Sequence, residues 1–167
     1  MAKYERLANY TARDIIDLFN ITKPPVKLQQ ICDILDIDFR LSDFWDDNLS
    51  GKVYIEGENP VIEVNNQHSF ERKRFTLAHE LGHLFRHIAT GLKSEVNDPK
   101  FRRAGDFDYT EIQANKFAAG LLMPKSFIED EIEKFEDDVD INSLARKFEV
   151  SYDAMYWRLK NLGYDIN

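Results

Sequence analysis

The sequence predicts an α+β fold, in which a small three-stranded sheet packs with helices and is followed by a C-terminal, helix-turn-helix-like pair. Three observations carry that expectation. Short runs between Ile37 and Val64 alternate apolar with polar residues, the period of a half-buried strand. Runs on either side space their apolar residues at the helical period. The stretch from Arg74 to His87 shares that period but offers two inward-looking faces. At 167 residues, 43% hydrophobic and 31% charged, the chain suffices for one compact domain with a core of its own.

From the N-terminus, Leu7, Ile15, Ile16, Leu18 and Phe19 among charges predict one helix over about Tyr4 to Asn20, stopped by Lys23-Pro24-Pro25. A shorter helix follows, about Val26 to Leu35. It carries Cys32, the sole cysteine, expected as a small buried hydrophobe. A lone cysteine allows no internal disulfide and points to a reducing compartment. Ile37, Phe39 and Leu41 alternate with Asp38 and Arg40 as a first strand, leading into the acidic, aromatic loop Ser42 to Asn48. Lys52 to Ile55 and Val61 to Val64, joined by Gly57-Glu58-Asn59-Pro60, predict a hairpin. An exposed edge of such a sheet can accept an extended peptide as an added strand. After His87, the charged stretch from Ala89 to Asp106 is expected to be a connector, with a lid as the alternative.

The segment Arg74 to His87 reads Arg-Phe-Thr-Leu-Ala-His-Glu-Leu-Gly-His-Leu-Phe-Arg-His. In a helix, at ~100° per residue, His83 lies ~40° round from His79 and ~6 Å further along, so both imidazoles can meet one ion. Glu80 stands beside them, placed to take a proton from bound water rather than to ligate. Leu77, Leu81, Leu84, Phe85 and Ile88 form one apolar arc; Thr76, His79, Glu80, His83 and His87 form the opposite arc. Gly82, next to the ligand face, predicts close approach of another backbone.

A metal needs a third ligand. Projected on a helix that starts near Asp108, Glu111 falls at the centre of the apolar stripe Ala114, Ala118, Leu121 and Leu122, with Gln113, Lys116 and Gly120 outside. A carboxylate on a buried stripe is costly unless paired or metal-bound. Asn115 lies one turn on, where it can orient a ligand or make a helix–helix hydrogen bond. His87 is ~12 Å from His79 along a regular helix, out of reach of the same ion, and reads as a supporting or structural residue. Asp106 and Asp108 fit helix capping better. No third histidine follows at the metzincin spacing. Two histidines with a glutamate on the next helix is the gluzincin arrangement.

His79-Glu-Leu-Gly-His83, followed by Glu111-Ile-Gln-Ala114-Asn115-Lys-Phe117-Ala118-Ala-Gly-Leu121-Leu122-Met123-Pro124, resembles the ImmA/IrrE family of metallo-endopeptidases. The likeness covers roughly Tyr4 to Phe135. It implies a zincin-like metallopeptidase domain over residues 1–135; residues 136–167 are expected to be a C-terminal helical segment packed on the same domain. It also implies one Zn2+ on His79, His83 and Glu111, with Glu80 catalytic; Mn2+ or Fe2+ fits the same donors. Members of that family commonly cleave a helix-turn-helix repressor encoded nearby, so the implied partner is a regulatory protein. The rival expectation is a non-proteolytic module that binds a repressor or toxin around a structural metal. Oxyanion donors are unassigned, with Tyr109, His87, Arg102 and Arg103 near in sequence.

Glu129 to Asp140 is strongly acidic and reads as a solvated turn. Beyond it, Ile141 to Val150 and Ser151 to Leu162 predict a helix pair with Leu144, Ala145, Phe148, Val150, Ala154, Trp157 and Leu159 at core spacing. Glu149 sits at the turn position where glycine is usual. Four basic residues balance four acidic ones from Val139 to Asn167, and the whole chain carries −8, so a DNA reader is disfavoured against a structural pair or a protein-docking surface. The N-terminus lacks the apolar core of a signal peptide, and the longest apolar run, Phe117 to Met123, is too short to span a bilayer. The expected location is the cytoplasm.

Overall fold

A computed structural model of the chain describes residues 2–43, 45–46, 48–99 and 109–166. A 3-10 turn, Lys3–Leu7, precedes α1, Ala12–Leu18, so the single N-terminal helix expected from the sequence is broken. Asn9 is the reason. It takes a left-handed conformation, φ 67, and gives its N–H to the carbonyl of Phe85, 2.8 Å away. Helix α1 then restarts on a reciprocal cap between Thr11 and Asp14.

Helix α2, Leu28–Ile34, buries Cys32, whose thiol is pushed up to about 12 by burial and by neighbouring Asp33. Strand β1, Asp38–Ser42, runs parallel to β3, Asn59–Asn65, with Phe39 opposite Ile62. Strand β2, Leu49–Glu56, forms the expected hairpin with β3, turning at Gly57, φ +67. The sheet has four strands among the described residues rather than three. Glu95–Pro99, within the stretch read as a connector, forms β4 antiparallel to β2, with Val53 opposite Val96. The order is β1-β3-β2-β4, so β1 and β4 are the edges and β3 is inside, with Val61, Ile62 and Val64 buried.

Helix α3, Phe70–His83, is capped by Ser69, whose hydroxyl accepts from the Arg72 N–H, and packs on β2 and β3. It passes into a π-helical turn, Leu84–Ile88, where the Ala89 N–H reaches back five residues to the Leu84 carbonyl. The wider turn leaves the Phe85 carbonyl for Asn9. Both arcs of the helix are buried, the apolar one in the core and the polar one divided between β2, which Thr76 and Glu80 face, and α4, Tyr109–Leu122, which the histidines face. Gly82 permits that approach: a methyl there would stand 3.0 Å from Phe117 Cβ and 3.1 Å from Ala114 Cα.

Helix α5, Lys125–Ile132, takes up the start of the acidic stretch. Glu131 is buried there and paired with Lys134 and Lys147, so that position is no solvated turn. Helices α6, Ile141–Phe148, and α7, Tyr152–Asn161, form the expected pair, with Glu149 left-handed at the turn, φ 54. Leu144, Phe148, Met155 and Leu159 join the same hydrophobic cluster as Leu81 and Val64. Trp157 does not: it is 62% exposed, and Met155 fills the core position.

Arg74, five residues ahead of His79 on α3, fastens this pair. Its guanidinium donates to the carbonyls of Val26 at 3.0 Å, Glu149 at 3.1 Å and Phe148 at 3.5 Å, and meets the Glu149 carboxylate at 3.5 Å. A cation on the last carbonyls of α6 also suits the helix dipole. Among the described residues no helix is long and apolar enough to cross a membrane.

Candidate metal centre

His79 and His83 sit on consecutive turns of α3, and Glu111 on the first turn of α4 faces both. His79 Nε2 lies 3.0 Å from His83 Nε2 and 3.2 Å from Glu111 Oε2, while His83 Nε2 lies 3.1 Å from Glu111 Oε1. Three corners of a tetrahedron with metal–ligand bonds near 2.0–2.1 Å stand about 3.3 Å apart. The donor triangle therefore fits one divalent ion, and these three residues form a buried group whose ligand atoms lie within 4.8 Å of one another.

The other ring nitrogens orient the set. His79 Nδ1 is 2.9 Å from Asn115 Oδ1, which can only accept, so the N–H is on Nδ1 and the Nε2 lone pair points inward. Of the two roles open to Asn115, the bond to His79 is the one it makes. His83 Nδ1 meets His87 Nδ1 at 3.0 Å, and His87 Nε2 meets Gln113 Oε1 at 2.9 Å. Gln113 Oε1 accepts from His87 Nε2–H, leaving His87 Nδ1 to accept from His83 Nδ1–H. His83 Nε2 is thereby left with its lone pair toward Glu111. Burial holds the His87 ring below the usual histidine range; Gln113 opposes this, while His83, Lys93 and Arg86 add to it. The neutral ring that the relay requires is the favoured form.

Gln113 corrects the helical projection, which put it outside the helix. It is half-buried because the π turn brings His87 across to it. Gly51 on β2 is a further residue that sequence reasoning missed. A methyl there would stand 2.6 Å from Glu80 Oε1 and 2.7 Å from Thr76 Cγ2. Glycine inside a strand signals such close approach, and Gly51 adjoins the expected strand. Glu80 is wholly buried in this cradle, one residue after His79.

Of the residues considered as oxyanion donors, Tyr109 is exposed and His87 is engaged with His83 and Gln113. Arg102, Arg103, Asp106 and Asp108 lie outside the described residues.

The Peptidase_M78 family model, described as an IrrE N-terminal-like domain, matches residues 32–160. The match starts later than the likeness seen in the motifs and runs on into α7. Two curated relatives bear the name radiation response metalloprotease IrrE. The one from Deinococcus radiodurans is 33% identical over 103 residues, 61% of this chain and 31% of that protein. The one from Deinococcus deserti is 35% identical over 105 residues, 61% of this chain and 36% of that protein. The chain thus matches about a third of the length of these relatives. A Mycobacterium tuberculosis transcriptional regulator of solved structure shares the fold, with a TM-score of 0.60 at 18% identity, over 96% of this chain and 50% of that one. With the family model spanning most of the chain and the motif residues gathered into one buried cluster, the protein belongs to the IrrE N-terminal-like family of metallopeptidases.

Proposed function

We propose that the protein is a zinc-dependent endopeptidase whose substrate is a regulatory protein, a helix-turn-helix repressor being the class that the family resemblance suggests. The observation that carries this reading is the convergence of His79 Nε2, His83 Nε2 and the Glu111 carboxylate at near-tetrahedral spacing, each histidine oriented by its own acceptor. Those three residues would hold the ion. Zinc bound there supplies a Lewis acid that lowers the pKa of water toward ~7 and polarises a carbonyl; manganese or iron suits the same donors.

The chain's own groups do the rest. Glu80, whose Oε1 lies against the bare backbone of Gly51, takes the proton from the attacking water and hands it to the leaving amine. Asn115 and His87 hold both rings still, so the ligand set need not reorganise. Strand β4, at the sheet edge, offers main-chain groups to an extended peptide. The net charge of −8 and the balanced charges of the last two helices favour a protein partner over duplex DNA, and the single buried cysteine suits the cytoplasm.

Incubating the zinc-loaded protein and its Glu80→Gln variant with the protein encoded beside its gene tests the assignment. Fragments that require both metal and Glu80 are expected. A second reading, a metal-containing module that binds its partner without cutting it, draws on a fold likeness to a protein called a transcriptional regulator. A stable complex with no fragments, in the presence of metal, would favour it.

A further inference from the structure

His83 pairs with Glu111 and His79 with Asn115, so α3 and α4 run in opposite directions through the centre. One turn on, Phe75 and Asn115 form the mouth of a groove of ≈ 900 Å³. Met123 and Val150 line it, as do Ala154 and Trp157 of α7. The Phe75 ring centroid is 6.4 Å from that of His79. Asn115 belongs to both places, bonding a histidine of the donor triangle and lining the groove. Single exposed apolar residues are ordinary on a surface. Trp157 differs in position: its 62% exposed side chain borders a concave space that also touches Asn115 and Phe75, the two neighbours of His79. Its ring stands edge-on to Tyr156 with centroids 5.3 Å apart, which limits its rotamers before anything binds.

We propose that this groove, given the peptidase reading above, receives a large apolar side chain of the peptide being cut, with Trp157 as the residue that reads it. From His79 to Phe75 is one helical turn, ~6 Å, the span of about two extended residues. A side chain two residues from the scissile bond therefore reaches the groove while the carbonyl lies at the donor cluster. The groove has room for a large side chain together with its neighbouring backbone, and Phe75, Met123, Val150, Ala154 and Trp157 give it the apolar surface for an aromatic or long aliphatic group, while Glu71, Arg72, Lys116, Asp153 and Arg158 also line it. On this account α7 is part of the substrate site and not only a structural support.

The test uses the zinc-loaded full chain and two sets of probes, tri-alanine peptide hydroxamates and succinyl-hydroxamate peptides, which extend from the metal in opposite directions. Each alanine is replaced in turn by phenylalanine, and affinity is measured. Phenylalanine at one position is expected to tighten binding about tenfold. Trp157→Ala should abolish that gain and Trp157→Phe restore most of it, with zinc content unchanged and the tri-alanine probe affected far less than the phenylalanine one. No preference for phenylalanine at any position, or a preference that survives Trp157→Ala, overturns the proposal while leaving the peptidase reading intact. Failure of every hydroxamate to bind overturns both. A dimer that Trp157→Ala converts to monomer, with probe affinities unchanged, assigns the groove to a second copy of the chain and also overturns it.

Discussion

His83 and His87 face one another through their Nδ1 atoms at 3.0 Å, and Gln113 fixes which of the two carries the proton between them. The histidine that lies too far along the helix to join the donor triangle instead sets the ring of one that does. Replacing His87 with phenylalanine keeps the ring volume and removes the acceptor. Zinc affinity, measured by competition with a chromophoric chelator, should fall ~10–100-fold. An affinity within twofold of wild type would mean that the relay has no hold on the metal.

Gly51→Ala places a methyl within 2.7 Å of both Glu80 Oε1 and Thr76 Cγ2. Both neighbours are buried, so the clash cannot be relieved into solvent. Urea denaturation of the metal-free protein should show a loss of about 1–3 kcal/mol. On the proposed peptidase reading, turnover should drop more than tenfold at unchanged zinc content, because the displaced group is Glu80. A variant as stable and active as wild type would show that β2 and α3 part easily.

Arg74→Met removes the donor to three carbonyls and leaves Val26, Phe148 and Glu149 to find other partners away from water. The expected cost is about 3 kcal/mol, above that of an exposed ion pair, because Arg74 is largely buried. Equilibrium unfolding decides; a change under ~0.5 kcal/mol would remove Arg74 as the fastening of α6 and α7.

Glu131 supplies a pH dependence. Burial alone would raise its carboxyl, but hydrogen bonds from Lys134 and Lys147 outweigh that and bring it below the usual glutamate range. A carboxyl lowered on folding stabilises fully above its unfolded pKa, and that stability is lost as pH falls through the folded value. Lys147→Met should therefore cost about 1 kcal/mol near pH ~6 and progressively less toward pH ~3. Parallel stability curves for the two proteins across that window would contradict the assignment.

The legible parts of the fold were those whose cause is local. The hairpin turned where Gly57 allows a positive φ, Gly82 marked the contact with α4, and Glu149 took the conformation usually left to glycine. His79, His83 and Glu111 could be grouped because helical spacing fixes where side chains project. What escaped depended on distant partners. Asn9 breaks the first helix to reach a carbonyl near residue 85, and Glu-Val-Asn-Asp-Pro becomes β4 only because β2 has an edge to pair with. Gln113 turned inward because a π turn moved His87, and hydrophobic spacing alone could not tell Trp157 from a core residue.

The Arg74 clasp sets an order of events in synthesis. The helix with both histidines leaves the ribosome well before its fastening exists, since Glu149 follows Arg74 by 75 residues. Glu111 completes the donor cluster, and at ~5–20 residues per second roughly 2–8 s then pass before Glu149 is made. A nascent chain caught in that interval would carry all three donor residues on two helices, α3 not yet fastened, so on the proposed metal assignment loading with the ion should be effectively a post-translational event.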